Sequence, residues 1–126
     1  MTQPGREEDR IREALGLPHG ALPRVEGRWL RKYFEHLSTA LAFPFPAQYT
    51  GRDAHSRPRQ VIVLTLLNPE STAKVETEGL FCIADDGEKR TELPLQDIVV
   101  DPDHPNGQML EDYWYWFWNW SFDPQI

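Results

Sequence analysis

The run Phe43-Pro44-Phe45-Pro46 divides this chain into two regimes of hydrophobic period, and no single helical or all-β fold accommodates both. Each proline fixes its own φ, and each disfavours the helical region for the residue before it. A helix arriving from the N-terminal side must therefore stop before Pro44, and the connector that follows is extended. Upstream, Trp29, Leu30, Tyr33, Phe34, Leu37 and Leu41 recur at spacings of three and four. They predict an amphipathic helix over 24–41 with Arg28, Arg31, Lys32 and Glu35 on its outer face. A shorter helix is expected from Glu7 to Leu15, after a flexible tail at 1–5. The segment 16–23, GLPHGALP, links the two.

Downstream the pattern becomes that of strands. Gln60–Leu67 is rich in β-branched residues and lies between Pro58 and Pro69. Leu80–Ala84 and Lys89–Leu93 flank Asp85-Asp86-Gly87, a hairpin-turn signal because Asp and Gly tolerate unusual backbone angles. Leu95 and Ile98–Val100 suggest a fourth strand, and 101–107 (DPDHPNG) a loop. Met109–Trp120 then reads as a closing helix with Leu110, Tyr113, Trp114, Phe117 and Trp120 on one face. The expected architecture is one α+β domain spanning 1–126. It has a helical part at 6–43, a small antiparallel sheet or SH3-like barrel at 58–101, and a C-terminal aromatic-rich helix at 108–121.

Composition narrows the function classes. Five Trp, six Phe and four Tyr exclude a wholly disordered chain. The longest apolar run, Val61–Leu67, is interrupted by Thr65 and is far shorter than the ~20 residues of a membrane helix. The first thirteen residues are charged and lack a leader's apolar stretch. With a single cysteine, Cys82, the expectation is a reduced, cytoplasmic protein. The net charge of −7 is unevenly spread: Lys74, Lys89 and Arg90 are the only basic residues after residue 60. That half repels nucleic acid and anionic lipid and attracts cations or basic surfaces.

Within it, Asp85 and Asp86 fall on the hairpin turn, Asp97 at the start of a strand, Asp101 and Asp103 in the loop, and Glu111 and Asp112 in the first turn of the last helix. Calcium takes six to eight oxygens from carboxylates, amides, backbone carbonyls and water. A loop offering Asp101, Asp103 and Asn106, followed by Glu111 and Asp112, has that chemistry. It is not an EF-hand: counted from Asp101, the sixth position is Asn106 rather than Gly and the twelfth is Asp112 rather than Glu. His19, His36, His55 and His104 have no zinc spacing, and Cys82 reads as buried packing. No nucleophile elbow or phosphate-cradling loop is present, so an enzyme is not expected. The acidic half is open to two readings at this point: a calcium site, or a face that docks a basic protein partner without metal.

The order of segments favours the calcium reading, with the docking module kept as the alternative. The succession LAFPFPAQY (41–49), apolar strand, GLFCIADDG (79–87), LPLQDIVV (93–100) and EDYWYWFWNW (111–120) resembles the CcbP-type calcium-binding proteins, small acidic bacterial proteins without EF-hands. The resemblance implies Ca2+ binding or buffering in the cytoplasm by acidic side chains on a compact α+β domain. Asp97 matches the acid of the LPL-x-D segment and Asp112 that of DY-x-x-WF. Two positions depart from the family pattern, which has an acid beside Asp97, where Ile98 stands, and a carboxylate where Pro46 stands. The expected ligands are Asp97, Asp101, Asp103 and Asp112, with Asp85, Asp86 and Glu111 secondary.

Overall fold

The computed structural model describes residues 4–18, 20–50, 57–69 and 79–120. Helices α1 (Pro4–Leu15) and α2 (Gly27–Ala40) come first. Strands β1 (Phe45–Tyr49), β2 (Arg59–Leu66), β3 (Phe81–Asp85) and β4 (Arg90–Pro94) follow. A 3-10 turn at Leu95–Asp97, the two-residue strand β5 (Ile98–Val99) and helix α3 (Gly107–Trp120) complete the order. The fold is α+β: among the described residues, three helices accompany a five-stranded antiparallel sheet of order β4-β3-β2-β1-β5.

Strand β1 is the element that the sequence pattern hides. Its Pro46 argues for a connector, yet 45–49 pairs with β2 from Phe45↔Val63 to Tyr49↔Arg59. The strand tolerates the proline because β5 reaches only Gln48 and Tyr49, so β1 has no partner on that side at Pro46. The expected fourth strand over 95–100 is instead divided. Leu95–Asp97 turn as a 3-10 helix, and only Ile98–Val99 pair.

That turn shapes the sheet. From Pro94 to Ile98 the chain can span at most about 14 Å. A flat sheet would hold β4 and β5, its two edges, about 19 Å apart. The sheet is therefore curled, its edges drawn together by the turn that carries Asp97.

The core lies between sheet and helices. Alternate residues of β1 and β2 (Phe45, Ala47, Val61, Val63) are buried with Leu30, Tyr33 and Leu37 of α2. On α3 the buried aromatic face is rotated from the one expected: Tyr113, Trp116 and Phe117 are inside, whereas Trp114 is 50% exposed. Tyr33 of α2 and the linker at Pro23 cover Trp116, while α1 packs on α3 at Asp112. Tyr33 of α2 meets Tyr113 and Trp116 with ring centroids 5.4 and 5.3 Å apart. Trp116 Nε1–H donates to the Pro23 carbonyl at 2.9 Å, and Val25 N–H to the Trp120 carbonyl at 2.9 Å, so the linker before α2 is tied along α3.

A polar thread runs through this core. Leu80 N–H donates to Tyr113 Oη at 2.8 Å, and that hydroxyl donates to Gln96 Oε1 at 3.1 Å. Burial raises the Tyr113 phenol well above its ordinary range. Burial likewise pushes the Cys82 thiol up to about 12, in keeping with inert packing.

Candidate metal-binding site

The seven candidate carboxylates occupy three separate places. Asp85 and Asp86 build the β3–β4 turn. Asp85 Oδ1 accepts from Gly87 N–H at 2.8 Å; Asp86 Oδ1 accepts from Glu88 and Lys89 N–H at 2.9 and 3.0 Å. Asp86 also pairs with Arg59. These carboxylates close a hairpin whose turn needs Gly87 at φ +97°.

The N–H groups of Glu88 and Lys89 hold the Asp86 carboxyl below its ordinary 3.8. A lowered native pKa makes the contribution complete above the unfolded-state value. It is lost as pH falls from there through the lowered native one. The hairpin is therefore expected to loosen in acid below about pH 4. Amide exchange at Glu88 and Lys89 checks this, and in Asp86→Asn the protection of those amides should no longer follow that titration.

Asp112 is engaged in a different way. It is buried on α3, where Arg10 of α1 grips it with both arms: Nε to Oδ2 at 2.7 Å and a terminal nitrogen to Oδ1 at 3.0 Å. Gln108 Nε2 adds a third donor to Oδ1 at 2.9 Å. The charge is felt nearby. The Glu7 carboxyl is raised by desolvation and then by Asp112, and the Tyr33 phenol is raised by burial and then by Asp112. Arg10 is 102 positions away in the chain, and nothing in the sequence pattern pairs the two.

The other four follow one another along the third region: Asp97 in the 3-10 turn before β5, where its charge reaches Tyr113, Asp101 and Asp103 in the loop after β5, and Glu111 on α3. Asp97 and Asp101 bracket Ile98–Val100, and Glu111 lines a groove with Val100 and Pro102. Asp101 Oδ1 accepts from Asp103 N–H at 2.9 Å and its carbonyl from His104 N–H at 2.9 Å, which folds the loop on itself. His104 Nδ1 accepts from Asn106 N–H at 3.0 Å.

Asn106 has a structural task instead of the ligand role that its position suggests. It is almost wholly buried, and its amide makes a reciprocal pair with the Ala42 backbone: Ala42 N–H to Oδ1 at 3.0 Å, Nδ2–H to the Ala42 carbonyl at 2.9 Å. The acidic loop is thereby pinned to the end of α2.

Oxygen donors of the kind calcium prefers are present, no Lys or Arg follows Arg90 in the sequence, and Arg10 from α1 is paired with Asp112. Among the described residues, however, no three Asp, Glu, His or Cys side chains converge on one point. The arrangement fits calcium in chemistry and does not form a ready-made cage. Asp53, Glu70, Glu76, Glu78 and Asp123, which the sequence reading did not single out, lie outside the described residues, as do His19 and His55.

A family model described as calcium binding, that of the CcbP-type proteins, matches residues 26–117. The chain belongs to the CcbP family of calcium-binding proteins. All seven candidate acids lie inside the matched region, whereas α1 and Arg10 lie outside it. Among solved structures the chain is similar to one described as a calcium binding protein in the calcium-binding form. That likeness has a TM-score of 0.72 at 16% identity and covers 96% of each chain. It is also similar to the crystal structure of Anabaena CcbP, with a TM-score of 0.66, 16% identity and coverage of 97% of this chain and 98% of that one. At that identity the likeness concerns the fold. No curated protein matches the sequence. The chain is thus a calcium-binding protein, and none of its described helices is long and apolar enough to cross a membrane.

Proposed function

We propose that this chain takes up Ca2+ at the edge formed by β5, the 101–107 loop and the start of α3, with Asp97, Asp101 and Asp103 as carboxylate ligands. The calcium-binding family match carries the reading, and Asp97, Asp101 and Asp103 all lie inside the matched residues 26–117. Asp85 and Asp86 are occupied by turn N–H groups, which supports a role in the attracting field rather than in direct ligation. Glu111, exposed on the first turns of α3, contributes to the same field. Asp112 joins the ligand set only by giving up Arg10.

The physical basis is repulsion. Carboxylates held near one another favour either protonation or a cation. Because no three are gathered beforehand among the described residues, the ion draws its carboxylates together on binding. The protein acts as a calcium buffer or sensor in the cytoplasm, a reading that the calcium-binding family match supports.

The test is calcium titration of single variants. Asp97→Asn, Asp101→Asn and Asp103→Asn are each expected to weaken binding about tenfold or more, since each removes a charged oxygen from the ion. Asp85→Asn should leave affinity within about twofold. Arg10→Ala decides the part of Asp112: affinity rises if Asp112 is a ligand held in check by the guanidinium, and is unchanged if the pair is structural. Equal affinity in wild type and in all three loop variants would overturn the assignment.

A further inference from the structure

Ile62, Val99 and Trp114 are the large apolar side chains left exposed among the described residues, and two of them sit together. Val99 is 62% and Trp114 50% exposed, and both line one groove of about 350 Å³ with Ile98, Pro102, Leu110 and Glu111. The groove lies where β5, the acidic loop and α3 meet. Its walls are mostly apolar and acids predominate around it: Glu111 in the wall, Asp97 and Asp101 at the two ends of the 98–100 segment and Asp103 beyond, against one nearby cation, Arg10, which is already paired with Asp112. No lysine or arginine occurs anywhere from Thr91 to the C-terminus.

An exposed Trp in an apolar cleft is the type of residue that anchors a protein interface, and a charged rim selects the partner. We propose that this groove docks a protein segment that presents a large apolar side chain flanked by lysine or arginine. Charge complementarity selects this occupant over others. An anionic lipid surface would be repelled by the same rim, and an acidic or neutral peptide would leave the carboxylates desolvated without a counter-charge. The rim shares its carboxylates with the proposed calcium site, so the test is made in EDTA, where they keep their full charge and docking is read apart from calcium binding.

The probe is a fluorescein-labelled ten-residue peptide in which lysines surround a Leu-Trp-Leu centre, titrated with the full chain and read by fluorescence anisotropy. Two comparison peptides have glutamate in place of the lysines, or serine in place of the apolar centre. The expected result is saturable binding of the first peptide only, weakened by salt. Trp114→Gln and Val99→Ser should each cut affinity about tenfold. Ile62→Ser, which removes the exposed apolar side chain outside the groove, should leave it unchanged. Glu111→Lys should weaken binding more than Glu88→Lys, the same charge change on the distant hairpin.

Circular dichroism identifies any variant that fails to fold, and Val99→Ser and Glu111→Lys then stand in for Trp114→Gln. The proposal is overturned by binding that survives both groove variants, by equal binding of the serine peptide, by no binding up to about 1 mM, or by sedimentation showing that Trp114 is buried between copies of the chain.

Discussion

Gly79→Ala is expected to lower the unfolding free energy by about 2–5 kcal/mol, more than any surface change in this chain. Gly79 sits at φ +79°, where an L side chain costs roughly 1–2 kcal/mol. A Cβ there would stand 2.7 Å from Phe117 Cε1, 2.8 Å from Gln96 Oε1 and 2.8 Å from Tyr113 Oη. Two of those three groups belong to the buried hydrogen-bonded thread that also holds Leu80 N–H. Making room for the methyl group would separate Tyr113 from its partners as well as strain the core.

Gly87→Ala is the control: φ is +97°, but a Cβ there meets nothing within 4 Å, so only the backbone cost of about 1–2 kcal/mol applies. Urea unfolding of the two variants separates the terms. A Gly79→Ala loss no larger than that of Gly87→Ala would show that the core yields at this point.

Trp116→Ala is expected to cost about 3–5 kcal/mol. Trp116 is the largest fully buried side chain, packed on Tyr33, and its indole N–H satisfies the Pro23 carbonyl. Truncation removes the contact through which α2, the linker and α3 meet. Trp116→Phe keeps much of the ring but not the donor, and should cost less, roughly 1–3 kcal/mol. Trp114→Ala should stay within about 0.5 kcal/mol, because half of that side chain already faces solvent. A thermal melt of the three variants gives the ranking, and Trp114→Ala matching Trp116→Ala would contradict the rotated α3 face.

That rotation shows what the sequence could and could not convey. Leu110, Tyr113 and Phe117 are spaced for one helix face, and all three are buried. Trp114 and Trp116 fall on opposite sides of that stripe, and the positions of α2 and the linker before it decide which is covered. The same holds for Asp112: its type suggests a ligand, while its neighbour Arg10 comes from a helix 102 positions away. Helix α2 and the three longer strands after Pro58 were legible because their periods are regular over many residues. The Asp85-Asp86-Gly87 turn was legible because its chemistry is local.

Strand β1 was not, since Pro46 is excluded from a strand only when both flanks are paired, and β5 is too short to pair there. Asn106 illustrates the same limit at the site. Its amide resembles a calcium donor in sequence, yet the fold spends both ends of it on Ala42. Composition and order of segments pointed to the ion; the grouping of the acids into turn, ion pair and open edge depends on long-range contacts.

The most direct test of calcium binding at the β5–loop–α3 edge is thermal unfolding of the wild-type chain and of Asp97→Asn/Asp101→Asn, in EDTA and in calcium at matched ionic strength. At a free calcium concentration one hundred times the dissociation constant, wild type should gain about 2.7 kcal/mol, or on the order of 10 °C. The double variant should gain little. A wild-type melting temperature that does not move at millimolar calcium, or a double variant stabilised as much as wild type, would contradict the account.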